Sequence, residues 1–307
     1  DLVRSRGLGD VYKRQDLLDG GTQLVLVGNS NYENWRVSAN QSSQYDLAYY
    51  TDATSGVTVM LGADGANGSA TGGGVGNDVL SNIEMVLGSP YGDVIHGSDR
   101  NVNEILRGGA GDDTIQGGSG AGTDLGSNFV DYRSAAGSVT VNLSTNSASG
   151  ADGNDVITGV RGIISGDFHD LLTGDAQDNY FDGGGGNDTI AGGDGADVLS
   201  FTTATGGVTA SLATGASSGA AGNDTFTSIE RLRGSEYADT LTGGSGNDSI
   251  QGRAGNDSID GGAGNDELHA GYGDDQIQGN ADGDFLYGDA GVDVVLGGDG
   301  DDTLDGG

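Results

Sequence analysis

From residue 243 onward, aliphatic side chains recur at every ninth position: Ile250, Ile259, Leu268, Ile277, Leu286, Val295 and Leu304. Several sit in short polar–aliphatic–polar triplets, such as Ser-Ile-Gln (249–251) and Thr-Leu-Asp (303–305). Such a triplet is a minimal strand that buries one side chain on one face. Glycines before it, at the first, second and fourth positions of the unit, free the backbone for positive φ in a tight turn. Turn, strand, turn, strand makes a coil of two units, and stacked coils give parallel strands on two sides. The pattern therefore predicts an all-β fold, a parallel β-roll or β-helix solenoid.

The sixth position of the unit is as regular as the eighth, being Asp248, Asp257, Asp266, Asp275, Asp284, Asp293 and Asp302. Isolated copies lie upstream and place Asp78, Asp113, Asp188 and Asp197 in the same phase. A longer period overlies the short one. TSGVTVML (54–61), AGSVTVNL (136–143) and TGGVTASL (205–212) each precede a GND triplet ending in Asp78, Asp155 or Asp224. Fifteen residues after each of these comes another Asp, at Asp93, Asp170 and Asp239. The organisation expected is three tandem modules, 46–127, 128–196 and 197–307, the last with an extended nonapeptide tail. Residues 16–45 read as an N-terminal cap or the end of a preceding domain. Residues 1–15 differ in character, hold the only Lys, and read as a non-native, adapter-like leader.

Composition sharpens this picture. The chain of 307 residues has 63 Gly, one Pro, 6% aromatics and a net charge of −34. Such a surface repels nucleic acid and anionic membranes and attracts cations. The longest apolar run, residues 24–27, is too short for membrane insertion as a helix. One Ile or Leu per nine ordered residues is also too little burial to offset the conformational entropy lost. Stacking one Asp over another makes matters worse through like-charge repulsion. A hard divalent cation removes both difficulties, because carboxylates and turn carbonyls are the ligands Ca²⁺ accepts in irregular six- to eightfold geometry. Mg²⁺ fits less well, and zinc or copper would want His or Cys, of which only His96, His169 and His269 exist.

GGAGNDELH, GGSGNDSIQ and GGDGDDTLD resemble the GGxGxDxUx nonapeptide of RTX, or haemolysin-type, calcium-binding repeats. Segments 83–97 and 229–243 are similar to the C-terminal region that leads into the roll of serralysin-type secreted proteases. The resemblance implies multiple Ca²⁺ ions, each between the turns of units n and n+2. Asp248 would share an ion with Asp266, Asp257 with Asp275, Asp266 with Asp284, Asp275 with Asp293, and Asp284 with Asp302. Three departures stand out: Asp282 replaces the fourth glycine, Arg253 the second, and Asn179 the sixth-position Asp, where weaker binding is expected. The resemblance further implies a secreted, extracellular protein exported by type I secretion machinery, with cell-surface or polysaccharide contacts, that folds on meeting calcium outside the cell.

Other readings set bounds on this one. An acidic, glycine-rich disordered linker has no reason to keep aliphatics in phase. Glu84 and Glu230, at matching module positions, read as capping or surface residues, since Arg161 stands there in the middle module. Tyr32, Trp35, Tyr45, Tyr49 and Tyr50 read as a cap over the end of the solenoid, with a sugar-stacking face as the alternative. No HExxH or other catalytic constellation is present, so no enzyme activity is expected of this segment. A structural stalk of a calcium-dependent adhesin, or the non-catalytic tail of a secreted hydrolase or protease, remain the alternatives.

Overall fold

The structure is a computed structural model. It describes residues 46–63, 66–100, 102–118 and 128–307, together with the backbone of residues 17–19. Tyr32, Trp35, Tyr45 and the leader lie outside the described residues. Thirty strands and no helix are found among the described residues, arranged in one sheet of 18 strands and one of 12.

Successive nonapeptides feed opposite sheets. Ser249–Ala254, Glu267–Tyr272, Phe285–Ala290 and Thr303–Asp305 lie in the 12-stranded sheet, while Ser258–Ala263, Gln276–Ala281 and Val294–Asp299 lie in the 18-stranded one. Every pairing is parallel at an offset of two units: Ile250 beside Leu268, Ile259 beside Ile277, Leu268 beside Leu286. The all-β roll predicted from the repeat is the fold observed. Eighth-position aliphatics fill the space between the sheets, and Ile250, Ile259, Leu268, Ile277 and Leu286 are all buried.

Two details differ from the sequence expectation. The tail strands run for six residues rather than three, and alternation then turns the first residue of the next unit inward as well. Gly252, Gly261, Ala270 and Gly279 are buried for this reason. The glycines also serve two purposes instead of one. Second and fourth positions take positive φ, as at Gly262 (+100°) and Gly264 (+115°), and Arg253 (+84°), Asn280 (+80°) and Asp282 (+75°) are held there too. The first position has no such demand. A Cβ placed on Gly261 would lie 2.5 Å from Asp266 Oδ2, so there glycine makes room for a carboxylate.

Upstream, each long module opens with a three-stranded antiparallel meander: Val57–Met60, Gly68–Gly72 and Gly76–Ser81; then Val139–Asn142, Ser147–Gly150 and Gly153–Thr158; then Val208–Ser211, Ala216–Gly219 and Thr225–Thr227. The first strand of each pairs forward, Val139–Asn142 with Leu171–Thr173. The third pairs backward, Gly153–Thr158 with Thr114–Gln116. The 18-stranded sheet thus crosses each meander unbroken, but in reversed chain order. The 12-stranded sheet passes the expected boundaries at 127/128 and 196/197 without interruption, since Asn128–Asp131 pairs with Glu104–Arg107 and Val198–Ser200 with Tyr180–Asp182.

The 12-stranded sheet is apolar on both faces in this region. Met85, Leu87, Ile105, Phe129, Tyr180 and Val198 form a second buried cluster on the face turned away from the core. Phe129 and Tyr180 meet there edge to face, 5.3 Å apart. Tyr50 sits in the core and Tyr49 packs against the second cluster, so these two neighbours occupy opposite faces of the sheet.

Candidate metal-binding ladders

The residue immediately before each strand occupies a fixed slot, because the turn ends there and the strand register repeats every coil. In the tail that residue is the sixth-position Asp, and the slots form one ladder along each sheet. Each carboxylate reaches one coil back. Its Oδ1 accepts the backbone N–H of the preceding slot at 2.7 to 3.1 Å, joining Asp239 to Asp257, Asp257 to Asp275, Asp275 to Asp293, Asp248 to Asp266, Asp266 to Asp284 and Asp284 to Asp302. The same bond joins Asp93 to Asp113, Asp170 to Asp188 and Asn179 to Asp197 upstream.

The other oxygen is the informative one. Oδ2 of Asp113, Asp170, Asp188, Asp197, Asp257, Asp266, Asp275, Asp284 and Asp293 is buried without a hydrogen-bond partner. A buried carboxylate oxygen left unpaired is costly, and its repetition coil after coil marks places where a cation is wanted. In the tail, Oδ2 lies against the first-position glycine of its own unit, near the carbonyl of the unit two further on, as with Asp266 Oδ2 near Gly261 and the Gly279 oxygen and Asp284 Oδ2 near Gly279 and the Gly297 oxygen; the unit of Asp275 has Ala270 in that position instead. Burial pushes Asp257 and Asp266 up to about 7, and Asp113 and Asp188 up to about 8, with neighbouring carboxylates adding to the shift. Asp248, Asp275 and Asp284 are raised by burial as well.

The donor set suits a hard cation. Among the described residues, no group of three or more His, Cys, Asp or Glu side chains is placed to hold a metal. An ion at the ladders must therefore draw on carbonyl oxygens, as Ca²⁺ does and Zn²⁺ does not. The histidines are engaged elsewhere: His96 with Gln116, His169 with the Asn187 N–H, and His269 stacked on Tyr287.

At the meanders the slots behave differently. Asp155 Oδ1 accepts the Asp113 N–H (2.9 Å), and its Oδ2 accepts the Tyr132 hydroxyl (2.8 Å). Asp224 Oδ1 accepts the Asp188 N–H (2.9 Å), and its Oδ2 accepts the Ser217 hydroxyl (2.6 Å). Asp78, on the third strand of the first meander, is half-buried beside Tyr50, whose hydroxyl is pushed up by burial and by that carboxylate. Asp93 accepts the Val57 N–H and both the N–H and hydroxyl of Ser89; Asp239 accepts the Val208 N–H and the same pair from Ser235. Asp170 accepts the Val139 N–H. The ladder neighbours are thus Asp113 with Asp155, 42 residues apart, and Asp188 with Asp224, 36 apart. Asp155 and Asp170, fifteen residues apart, are set on opposite sides of the meander.

Three further acids occupy slots that a search for Asp passes over. Glu84, Glu104 and Glu230 precede strands Met85–Leu87, Glu104–Arg107 from its second residue, and Arg231–Arg233. Glu230 accepts the Asp197 N–H at 2.9 Å as an Asp would. The signal was present in the chain, since Glu230 stands eighteen residues before Asp248. Asn179 also keeps its slot, but its carboxamide oxygen is occupied by the Asp175 N–H at 2.7 Å.

Comparison with known proteins agrees with this geometry. The family model of the RTX calcium-binding nonapeptide repeat matches four times, at residues 100–121, 164–199, 233–268 and 269–304. All three meanders fall outside the matched residues. No curated protein matches the chain. With a two-sheet parallel roll, an Asp ladder in nonapeptide phase and four matches to that repeat, these four stretches of the chain are RTX calcium-binding nonapeptide repeats.

Proposed function

We propose that this segment is a calcium-driven folding element of a secreted protein, exported unfolded through a type I system and ordered where calcium is abundant. Its role in this reading is ion binding and architecture, not catalysis. The observation that carries it is the row of buried, unpartnered Oδ2 atoms, most of them beside a glycine and several also beside a turn carbonyl. Asp257, Asp266, Asp275, Asp284 and Asp293 would hold the tail ions, with Asp113, Asp170, Asp188 and Asp197 upstream. A bound Ca²⁺ supplies two positive charges between stacked carboxylates and accepts their free oxygens. Extracellular calcium sites work at Kd of about 10⁻⁴ to 10⁻³ M, which separates cytosol from medium. Binding to the folded form alone adds about 1.4 kcal/mol per site at tenfold excess over Kd, so an array gives a steep transition. Circular dichroism during a calcium titration of the chelated protein tests this. A strand signal indifferent to chelator would overturn it.

A second reading, a stalk within a large adhesin, is favoured by the continuity of both sheets through three meander-bearing modules. A rigid rod transmits length. Further modules on both sides in the complete coding sequence are the expected outcome, and a catalytic domain directly upstream would count against it.

A further inference from the structure

Three turns of the 12-stranded sheet correspond to one another, and each follows a meander. Each has a left-handed residue, a buried apolar residue and then a ladder slot: Asn82, Ile83, Glu84; Gly159, Val160, Arg161; Ser228, Ile229, Glu230. The charge in the slot follows its neighbours. Arg161 is stacked between Asn128 and Asn179, where no carboxylate needs a cation. Glu84 lies between Asp46 and Glu104, and Glu230 between Asp197 and Asp248. Three stacked acids repel one another unless something positive lies among them.

In the first module that positive group is part of the chain. Arg100 places Nη1 2.9 Å from Glu84 Oε1, Nη2 on the Ile83 carbonyl, and the same nitrogen 3.7 Å from Glu104 Oε1. Its guanidinium gathers two carboxylates and a turn carbonyl, a set of oxygens that a metal ion also gathers. In the third module, Glu230 has no Arg or Lys partner among the described residues. Asp197, one coil before it, is 0% exposed, and its Oδ2 has no partner. That Oδ2 lies against Gly192, where the Ser228 carbonyl also closes in, just as the Gly279 oxygen and Asp266 Oδ2 meet at Gly261 in the tail.

We propose that Glu230 is a ligand of a divalent cation held with Asp197 and the Ser228 carbonyl, at a site completed from outside the nonapeptide repeats. The site rests on the calcium reading above and extends it: Glu230 and Ser228 lie between the repeat matches ending at 199 and beginning at 233. The turn that carries Glu230 differs from the tail turns, since it is entered through left-handed Ser228 (φ +54°) and Thr225 stands where most tail units have their first glycine. The hydroxyls that reach Asp93, Asp155, Asp224 and Asp239, and the guanidinium that reaches Glu84, have no counterpart at this site.

The experiment counts calcium ions on the full chain by native mass spectrometry, with calcium alone as the probe. Glu230→Gln, which keeps an oxygen for the Asp197 N–H, should carry one ion fewer than the wild type, and Asp197→Asn/Glu230→Gln should lose no more than that one. Glu230→Arg should also lose one ion, while the amides around Asp197 stay protected from hydrogen exchange in chelator, because a fixed cation replaces the mobile one. A full wild-type ion count at unchanged affinity in Glu230→Gln would overturn the proposal. A wild type that binds no calcium would instead overturn the calcium reading on which it rests.

Discussion

The nonapeptide tail from residue 243 and the meander-bearing modules before it share two sheets, yet they meet the same electrostatic problem differently. Tail coils as far as Leu286 bury one aliphatic side chain and one small residue, Gly or Ala, per unit, and most of the tail Asp residues keep a buried oxygen with no partner. The modules bury Tyr132, Phe181, Phe201 and Phe226 in the core and a second cluster on the opposite face of the smaller sheet. Many of their acids are satisfied from within: Asp155 by Tyr132, Asp224 by Ser217, Asp93 by Ser89, Glu84 by Arg100. Asp131, fully buried, is held below the usual carboxylate range: burial alone would raise it, but Arg107 and Arg133 prevail. The difference teaches that dependence on an external cation is graded along one solenoid. It is greatest where hydrophobic burial and protein hydrogen-bond donors are fewest.

The largest effect expected is on removing calcium. In chelator, amides of residues 243–307 should lose hydrogen-exchange protection, while those of the meander strands Val139–Asn142 and Gly153–Thr158 keep most of theirs. Loss of both regions at one calcium concentration would erase the contrast.

Next in size is a charge in the single-file core. Ile259→Asp should cost on the order of 4 kcal/mol or more and prevent the tail from stacking at any attainable calcium concentration. Ser258→Asp, whose side chain is exposed, should leave the calcium midpoint of the dichroism transition where it was. Similar midpoints for the two variants would mean that the inward face has been misassigned.

Ligand geometry can be separated from bulk charge. Asp266 stands between Asp248 and Asp284 in its ladder, whereas Asp305 faces solvent. Calorimetry should find fewer ions or weaker binding in Asp266→Ala and neither change in Asp305→Ala. Equal losses would mean a diffuse counterion cloud rather than built sites.

Acidity should act in opposite directions on the two ion states. Asp257 and Asp266, near 7, and Asp113 and Asp188, near 8, lie above the unfolded carboxylate value of about 3.9. The ion-free roll then holds more protons than the unfolded chain. Its contribution from these groups is complete below about pH 4 and is lost as pH rises through 7 to 8. Calcium needs the ionised form, so its midpoint should fall over that same rise. Chelated protein should therefore gain strand signal on going from pH 8 to 5, and a loss there would contradict the burial of these carboxylates in the folded state.

The smallest effect is the most specific. Tyr132→Phe removes the hydroxyl from Asp155 Oδ2 and should cost about 1 to 3 kcal/mol by thermal unfolding in chelator. Calcium should recover part of the loss, since the freed oxygen then resembles those of the tail. Equal destabilisation with and without calcium would restrict that hydroxyl to packing.

The tail was legible in the chain because its structure is local and periodic. An aliphatic at position eight and an Asp at position six can each face only one way when the strand alternates and the coil closes every eighteen residues, so core, ladder and ion chemistry follow from spacing. The role of the first-position glycine was less legible: Gly261 and Gly279 are there to accommodate the Oδ2 of Asp266 and Asp284, and that needs the folded turn. Less legible in the modules was which carboxylates become neighbours, because spacing does not say how a meander is threaded. A meander reverses chain order, and only long-range pairing of Gly153–Thr158 with Thr114–Gln116 sets Asp155 beside Asp113. The same holds for Glu230, whose stack between Asp197 and Asp248 spans a 33-residue excursion on one side and one coil on the other. Local alternation and turn chemistry are written residue by residue, whereas which carboxylates share a ladder depends on how an inserted sheet is threaded, a property of the folded chain as a whole.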